Sequence, residues 1–423
     1  MSTLIFLNAS QVVTCAGPAE ARRGLAMSKL ETLTDAAVVI EGERIAAVGK
    51  ESTLRREYPG AVEIDCRNGV LTPGLVDSHT HAIFGRARAD EQGMRAAGMD
   101  YMQIAGQGGG IHSSVRDLRG RSEDELVRLA RARLQRLASY GITTVEVKSG
   151  YGLTLDDELK TLRAIARLGD ELPMRIVPTF LGAHEIPLEH RETAAARKAY
   201  IDLLIGEMLP RIATDGLARF ADVFCETGVY SIPESRRILL AARSNGLLIK
   251  LHADELTSCG GAELAAEIGA TSADHLGAIS ESGVEALARS STVATLLPGT
   301  MLFLGKQTRA PARALIDAGV PVALATDFNP GTSPTPNLPL ILTLGVSQLR
   351  MSANEAIIAA TVNGAAALAL AGEIGQLAPG FRADLALFEI DRVEELPYWY
   401  GDRRCLGTWA RGKSCHPSHL PVT

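Results

Sequence analysis

Residues 73–84 read PGLVDSHTHAIF, and this stretch places two histidines, His79 and His81, at the end of an apolar run. Residues two positions apart on a β-strand project to the same face. The two imidazoles can therefore converge on one point, and a divalent metal ion is the natural occupant of such a point. The stretch predicts a strand whose end supplies two histidine ligands of a metal site.

Seven further segments of β-type composition follow this one. With the first, they cover residues 70–81, 143–150, 174–184, 221–226, 247–255, 271–277, 292–299 and 322–330. Helical patterns separate them, as in residues 122–140, where Ser122 with Glu125 matches a capping box. Alternating strands and helices are typical of a parallel sheet, and eight strands are the number in a TIM barrel. The sequence therefore predicts an α/β fold with a (β/α)8 barrel.

The two ends of the chain have a different pattern. Residues 2–7, 35–50 and 61–66 are short β-type runs separated by turn signals, and a similar pattern returns in residues 375–390 and 409–413. Since the middle of the chain alternates strands with helices, we expect the two ends to form one β domain together.

Composition argues against several classes of partner. The net charge of −6 comes without a cluster of basic residues interleaved with aromatics, so nucleic acid is not expected to bind. Residues 328–349 are uncharged, but four prolines in this stretch rule out a continuous membrane-spanning helix. The N-terminus lacks a basic region before its apolar stretch, which predicts no secretory signal and a cytoplasmic protein.

Polar residues fall where a barrel needs them, at the C-terminal ends of its strands and in the loops that follow. These residues are His79, His81, Tyr151, His184, His252, Glu255, His275 and Asp327. His252 and Asp327 can complete a metal site with the two histidines of the first strand. Metal-bound water is a nucleophile at neutral pH, so hydrolysis is the expected chemistry. His275 and Glu255 can move protons, but the spacing leaves open which residue does which.

Three further charged residues lie on predicted strands. Asp77 is expected to support the neighbouring histidines or a turn rather than to bind metal. Lys148 and Lys250 would be costly to bury alone, so we expect each to pair with a carboxylate and neither to be catalytic.

Four segments, PGLVDSHTH, LHADE, SADHLG and ATDFNPG, resemble the amidohydrolase superfamily. The resemblance covers nearly the whole chain. It implies a metal-dependent hydrolase on a (β/α)8 barrel with a flanking β-sandwich. The expected domains are a composite β-sandwich from residues 1–70 plus 375–423, and a barrel from residues 71–374.

Other stretches, among them VEVKSGYGL, PTFLGAHEIP and TDFNPGTSP, resemble the branch of this superfamily that opens a propanoate-bearing imidazolone ring with water. The resemblance implies four metal ligands: His79, His81, His252 and Asp327. It implies seven substrate-binding residues: Arg88, Tyr151, His184, Glu255, Asn329, Gly331 and Thr332. Catalytic proton transfer is assigned to His275, Glu255 and Asp327 together, and how they divide it stays open.

The fourth predicted strand, ADVFCETG, has no lysine to bridge a second ion, so one transition metal is expected, zinc or iron. The expected partner is a small-molecule substrate with a carboxylate, which a guanidinium such as that of Arg88 can grip at two points. A homodimer is a further expectation from the family. Two alternative functions stay open for this fold. One is a deaminase of a nitrogen heterocycle on the same barrel, and the other is a non-catalytic scaffold protein.

Overall fold

The computed structural model describes residues 3–99, 103–104 and 107–416. Its central sheet contains eight parallel strands in sequential order: β8 (Leu75–Asp77), β9 (Ile142–Lys148), β10 (Arg175–Ala183), β11 (Phe220–Cys225), β12 (Leu248–Ala253), β13 (Ser272–His275), β14 (Val293–Leu296) and β15 (Val322–Leu324). A parallel bridge between Thr80 and Phe328 links the two ends of the sheet. The predicted (β/α)8 barrel is confirmed.

Helices connect successive strands and cover the outside of the barrel. They are Asp90–Ala96, Gly110–Arg119 and Glu123–Ala138 after β8, Leu155–Glu171 after β9, Ala194–Leu203 and Leu209–Thr214 after β10, Ile232–Ser244 after β11, Gly261–Glu267 after β12, Glu281–Ala288 after β13, Pro298–Phe303 and Ala312–Asp317 after β14, and Leu338–Leu349, Ala353–Ala359 and Val362–Ala366 after β15. The predicted capping box is confirmed: Ser122 and Glu125 cap helix Glu123–Ala138 reciprocally.

The terminal segments form two further sheets. One contains β1 (Thr3–Leu7), β4 (Ala36–Glu41), β5 (Arg44–Lys50) and β6 (Val62–Asp65), and helix Glu51–Glu57 follows β5. The other contains β2 (Gln11–Val13), β3 (Thr32–Leu33), β7 (Val70–Pro73), β16 (Leu385–Phe388), β17 (Cys405–Ala410) and β18 (Lys413–His416). Phe6 and Trp409 pack edge to face between the sheets, with ring centroids 4.9 Å apart. Both ends of the chain therefore build one β unit, as predicted, although the domain bounds themselves stay a prediction.

Gly74 divides the first predicted strand. Residues before it, β7, pair with β16 and β2 in the terminal sheet, whereas residues after it, β8, pair with β9 in the barrel. A Cβ atom at position 74 would overlap the side chain of Thr143. The single strand expected over residues 70–81 is thus two strands in two sheets, and its last four residues lie beyond β8.

Among the described residues, no helix has the length and apolar composition needed to cross a membrane. The uncharged stretch of residues 328–349 forms a loop followed by helix Leu338–Leu349, in which Pro339 occupies the first turn.

Candidate active site

The His79–His81 segment is held against the last barrel strand by its backbone. The amide of Asp327 donates to the carbonyl of His79 at 3.0 Å, and the amide of His81 donates to the carbonyl of Phe328 at 2.9 Å. Asp77 adds a side-chain link, since it accepts hydrogen bonds from the amide and the hydroxyl of Thr326. Closure of the barrel therefore brings the first and the last predicted metal ligands together.

Three imidazoles converge at this end of the barrel. Single nitrogen atoms of His79, His81 and His252 all lie within 4.8 Å of one another. The Oδ1 atom of Asp327 lies 3.6 Å from His79 Nε2 and 3.5 Å from His81 Nε2. Among the described residues, the buried Nε2 atoms of His79 and His252 have no hydrogen-bond partner. Buried polar atoms without partners are rare, and three imidazoles with one carboxylate suit a transition metal.

His275 lies beside this cluster. Its ring centroid is 5.1 Å from that of His252 and 5.3 Å from that of His79, and it can form a second three-residue group with His79 and Asp327. Its Nε2 atom is 3.6 Å from Glu255 Oε2. The structure thus places His275 within reach of both the predicted ligands and Glu255.

Two of these residues have left-handed backbone conformations: φ is 77° at His275 and 51° at Asp327. Such conformations are costly for residues with a Cβ and persist only where the surroundings enforce them. At Asp327 the surroundings include the backbone bond to His79 and a 2.6 Å hydrogen bond from the Thr300 hydroxyl to Oδ2. The fold therefore holds these two side chains in fixed directions.

Burial shifts the proton affinities of the site. It raises the pKa of Asp327 to about 6, although the hydrogen bond from Thr300 acts in the opposite direction. Burial, together with the charge of Asp327, raises the pKa of Glu255 well above its ordinary value. Burial and the neighbouring His252 lower the pKa of His275 well below its ordinary value. Shifted pKa values on groups that line a cavity make Glu255 and His275 candidates for proton transfer.

A cavity of about 220 Å³ opens above the histidines. It is lined by ten of the predicted residues: His81, Arg88, Tyr151, His184, His252, Glu255, His275, Asp327, Asn329 and Thr332. His79 lies buried beneath it. Gly331 does not line the cavity but lies against the guanidinium of Arg88, where a side chain would overlap it. The predicted substrate residues are thus brought together, with Gly331 in contact with Arg88.

Arg88 is buried, and its contacts direct the guanidinium to the cavity wall. Its Nε atom lies 3.3 Å from Glu91 Oε1, and its Nη1 atom donates to the Ser114 hydroxyl at 3.4 Å. Asn329 organises the loop of residues 329–332 beside Arg88, since its Oδ1 atom accepts hydrogen bonds from the amides of Gly331 and Thr332. A buried arginine at the rim of a small cavity is well placed to bind a carboxylate.

Sequence reasoning missed two groups of residues. The apolar wall of the cavity is formed by Ile111, Phe224, Leu256 and Leu304, and Lys306 lies at its edge. Two buried carboxylates, Asp222 and Asp274, lie behind the metal ligands: Asp274 Oδ2 is 2.6 Å from His79 Nδ1, and Asp222 Oδ2 is 3.0 Å from His252 Nδ1. Asp274 directly precedes the predicted His275, whereas the strand of Asp222 carries no predicted site residue and offers no sequence signal.

Comparison with known proteins identifies the family. The amidohydrolase family matches residues 107–416, and the imidazolonepropionase-like composite domain of bacteria matches residues 36–61. The imidazolonepropionase of Bacillus velezensis is 46% identical over 412 residues, which cover 97% of this chain and 96% of that protein. That of Alkaliphilus metalliredigens is 43% identical and covers 95% of each. The chain belongs to the imidazolonepropionase family.

Imidazolonepropionases are amidohydrolases, and the amidohydrolase family is metal-dependent, in keeping with the His and Asp cluster described above. Solved structures share the fold at low sequence identity. Guanine deaminase of E. coli aligns with a TM-score of 0.75 at 16% identity, covering 98% of this chain and 99% of that one. A zinc-bound adenosine deaminase from Xanthomonas campestris aligns with a TM-score of 0.72 at 18% identity, covering 100% and 96%. These two likenesses concern the fold alone.

Proposed function

We propose that this imidazolonepropionase family member uses water to open the ring of 4-imidazolone-5-propanoate, which gives N-formimidoyl-L-glutamate in histidine degradation. The carrying observation is that three of the four predicted metal ligands, the proton-transfer pair and a buried arginine line one small cavity, and that the fourth ligand, His79, lies beneath it. The reaction is hydrolysis of a cyclic amide C–N bond, the chemistry of the family to which the chain belongs.

We assign one metal ion, zinc or iron, to His79, His81, His252 and Asp327. When bound there, it supplies a Lewis acid that activates water and polarises the ring carbonyl. The unpartnered, buried Nε2 atoms of His79 and His252 support this assignment. Strand β11, FADVFC, has no lysine to bridge a second ion, which supports a single metal.

The proton-transfer pair is His275 with Glu255, whose Nε2 and Oε2 atoms are 3.6 Å apart. The oxygen of water forms a bond to the ring carbonyl carbon while the C–N bond breaks. One proton of that water passes through the pair to the departing ring nitrogen, and the new carboxylic acid loses its own proton to solvent. This separation is longer than a hydrogen bond, so proton transfer requires the two side chains to approach each other when substrate binds.

Arg88 binds the propanoate. The reacting ring is small, so an anchor remote from the reacting carbon is needed to hold the carbonyl in place. Tyr151 and His184 complete the wall beside His81, with their rings 5.3 Å apart. A substrate without the carboxylate would lose the anchor but keep the ring contacts.

The test is incubation with freshly made imidazolonepropionate, with and without a chelator, followed by detection of formimidoylglutamate. We expect product only where the metal is retained. Release of ammonia without formimidoylglutamate would instead support the deaminase alternative. Absence of any turnover in metal-loaded protein would support the scaffold alternative. A homodimer, expected from the family, and a cytoplasmic location, expected from the N-terminal sequence, are further parts of the proposal.

A further inference from the structure

Five fully buried charged residues lie in the barrel beneath the histidines. This ionic layer consists of Glu146, Lys148, Asp222, Lys250 and Asp274, each at most 1% exposed. Three carboxylates and two ammonium groups give it a formal charge of −1. Burial of unpaired charges is very costly, and the pairing predicted for both lysines is confirmed here.

The two lysines make different contacts. Lys148 Nζ lies 2.8 Å from Glu146 Oε2 and 2.8 Å from Asp222 Oδ2. Lys250 Nζ shares Glu146 Oε2, at 3.0 Å, and donates to the carbonyl of Ser78 at 2.8 Å. Both are near Asp274 Oδ2, at 3.8 Å and 3.6 Å respectively. Contact with Asp222 thus distinguishes Lys148 from Lys250.

The same carboxylate oxygens that contact Lys148 also face the imidazoles. Asp222 Oδ2 is 3.0 Å from His252 Nδ1, and Asp274 Oδ2 is 2.6 Å from His79 Nδ1. An imidazole that gives its Nδ1 proton to a carboxylate presents its Nε2 lone pair on the opposite side of the ring. Both Nε2 atoms have no partner among the described residues; His79 Nδ1 is hydrogen-bonded to Asp274, whereas His252 Nδ1 lies close to Asp222 without hydrogen-bond geometry.

We propose that Lys148 is a positioning residue of the metal centre: it fixes Asp222 and Asp274 so that His252 and His79 present Nε2 to the ion. This inference rests on the metal ligands assigned under the proposed function. Without Lys148, Asp222 would lose its ammonium partner, and repulsion among the remaining carboxylates would turn it away from His252. The effect reaches the metal through the aspartates, since Lys148 itself lies beneath the histidines and does not line the cavity.

The charge state of Lys148 supports this role. Burial alone would lower the pKa of its ammonium group, but Asp222, Glu146 and Asp274 together raise it above the ordinary value. The lysine therefore remains charged at neutral pH. A neutral residue of similar length would fill the space without holding the two aspartates.

Two double variants test the proposal at equal charge. Lys148→Met/Glu146→Gln and Lys250→Met/Glu146→Gln each remove one ammonium group and the carboxylate that both lysines share, so the layer keeps its charge of −1. They differ in which lysine remains. We expect the first to bind zinc 10- to 100-fold more weakly than the parent, and the second to stay within about threefold.

Zinc affinity is measured by competition with a chromophoric chelator, and the visible spectrum of the cobalt-substituted protein reports ligand geometry. The melting temperature of the metal-free protein shows whether both variants fold equally well. A changed cobalt spectrum in the first variant alone supports the positioning role. Equal loss of affinity in both variants, or parental affinity in the first, overturns it.

If the first variant does not fold, Asp222→Asn tests the same link, and parental zinc affinity in that variant would also overturn the proposal. Failure of the parent protein to bind zinc, iron or cobalt would instead overturn the metal assignment of the proposed function, and the role of Lys148 with it. Metal bound normally by the parent and by every variant would overturn only the role of Lys148.

Discussion

Gly331 lies so close to the guanidinium of Arg88 that a side chain at position 331 would overlap it. Arg88 is buried and contacts Glu91, so it cannot swing aside without losing that contact. Gly331→Ala should therefore displace the guanidinium and raise KM for imidazolonepropionate severalfold. Metal content should stay unchanged. Ala at Gly93, where a Cβ would meet no atom within 4 Å, is the control. Unchanged KM in Gly331→Ala would contradict the prediction.

Arg88→Ala should lower kcat/KM for imidazolonepropionate by well over tenfold, because loss of a buried charge-assisted contact costs about 2 to 5 kcal/mol. An analogue without the carboxylate should be a poor substrate of the parent, and the substitution should hardly affect its slow turnover. Steady-state kinetics on both compounds provide the measurement. An equal loss on both would mean that Arg88 acts on the ring or on the fold.

Metal content separates the ligands from the proton-transfer residues. Substitution by Ala at each ligand, namely His79, His81, His252 and Asp327, should reduce metal occupancy and activity together. His275→Ala should remove most turnover and leave occupancy near that of the parent. Elemental analysis of purified variants checks both statements, with His190→Ala as the control, since His190 does not line the cavity. Metal loss in His275→Ala would make His275 a ligand.

Glu234 links two helices on the outside of the barrel. It caps helix Ile232–Ser244 with Ser231 and accepts two hydrogen bonds from Arg197. Hydrogen bonding by Arg197 lowers the pKa of Glu234 from its ordinary 4.5 to about 2. A carboxyl with a depressed pKa stabilises the folded state above the unfolded pKa, and the contribution is lost as pH falls through the folded value.

Glu234→Gln should therefore lower the free energy of unfolding by about 1 kcal/mol at pH 7, a figure that allows for solvent screening of a partly exposed pair. The difference from the parent should shrink as pH falls below 4.5. Urea unfolding at pH 7, 5, 4 and 3 measures it, and Glu281→Gln, in the first turn of another helix, is the control. A difference that does not change with pH would indicate a packing effect.

Much of the fold could be predicted from local patterns. The barrel strands lie in short segments of β-type composition bounded by turn or helix signals, and the reciprocal capping by Ser122 and Glu125 depends on only four residues. The convergence of His79, His81, His252 and Asp327 also follows once eight strands are assigned, because parallel strands end at the same side of a barrel.

Features that depend on distant partners could not be predicted. Residues 70–76, VLTPGLV, form one mostly apolar stretch, and only the pairing of β7 with β16, some three hundred positions away, reveals that Gly74 separates two sheets. Buried aspartates in strands, such as Asp222 and Asp274, have no local signature that separates them from turn residues. Likewise, the contact between Gly331 and Arg88 exists only because two loops meet above the barrel.

The position of Gly74 has a consequence for anyone who would shorten this enzyme. Strand β7 is held between β2, from the beginning of the chain, and β16, from its end, and five residues after Gly74 the chain reaches His79. Deleting either terminal segment would expose an edge of β7. The segment with His79 and His81 would then be held less firmly, because it follows β7 closely in the chain. The barrel therefore cannot be excised as a smaller enzyme. The two terminal β segments pair with β7 on both sides and fix it just before the chain enters the active site.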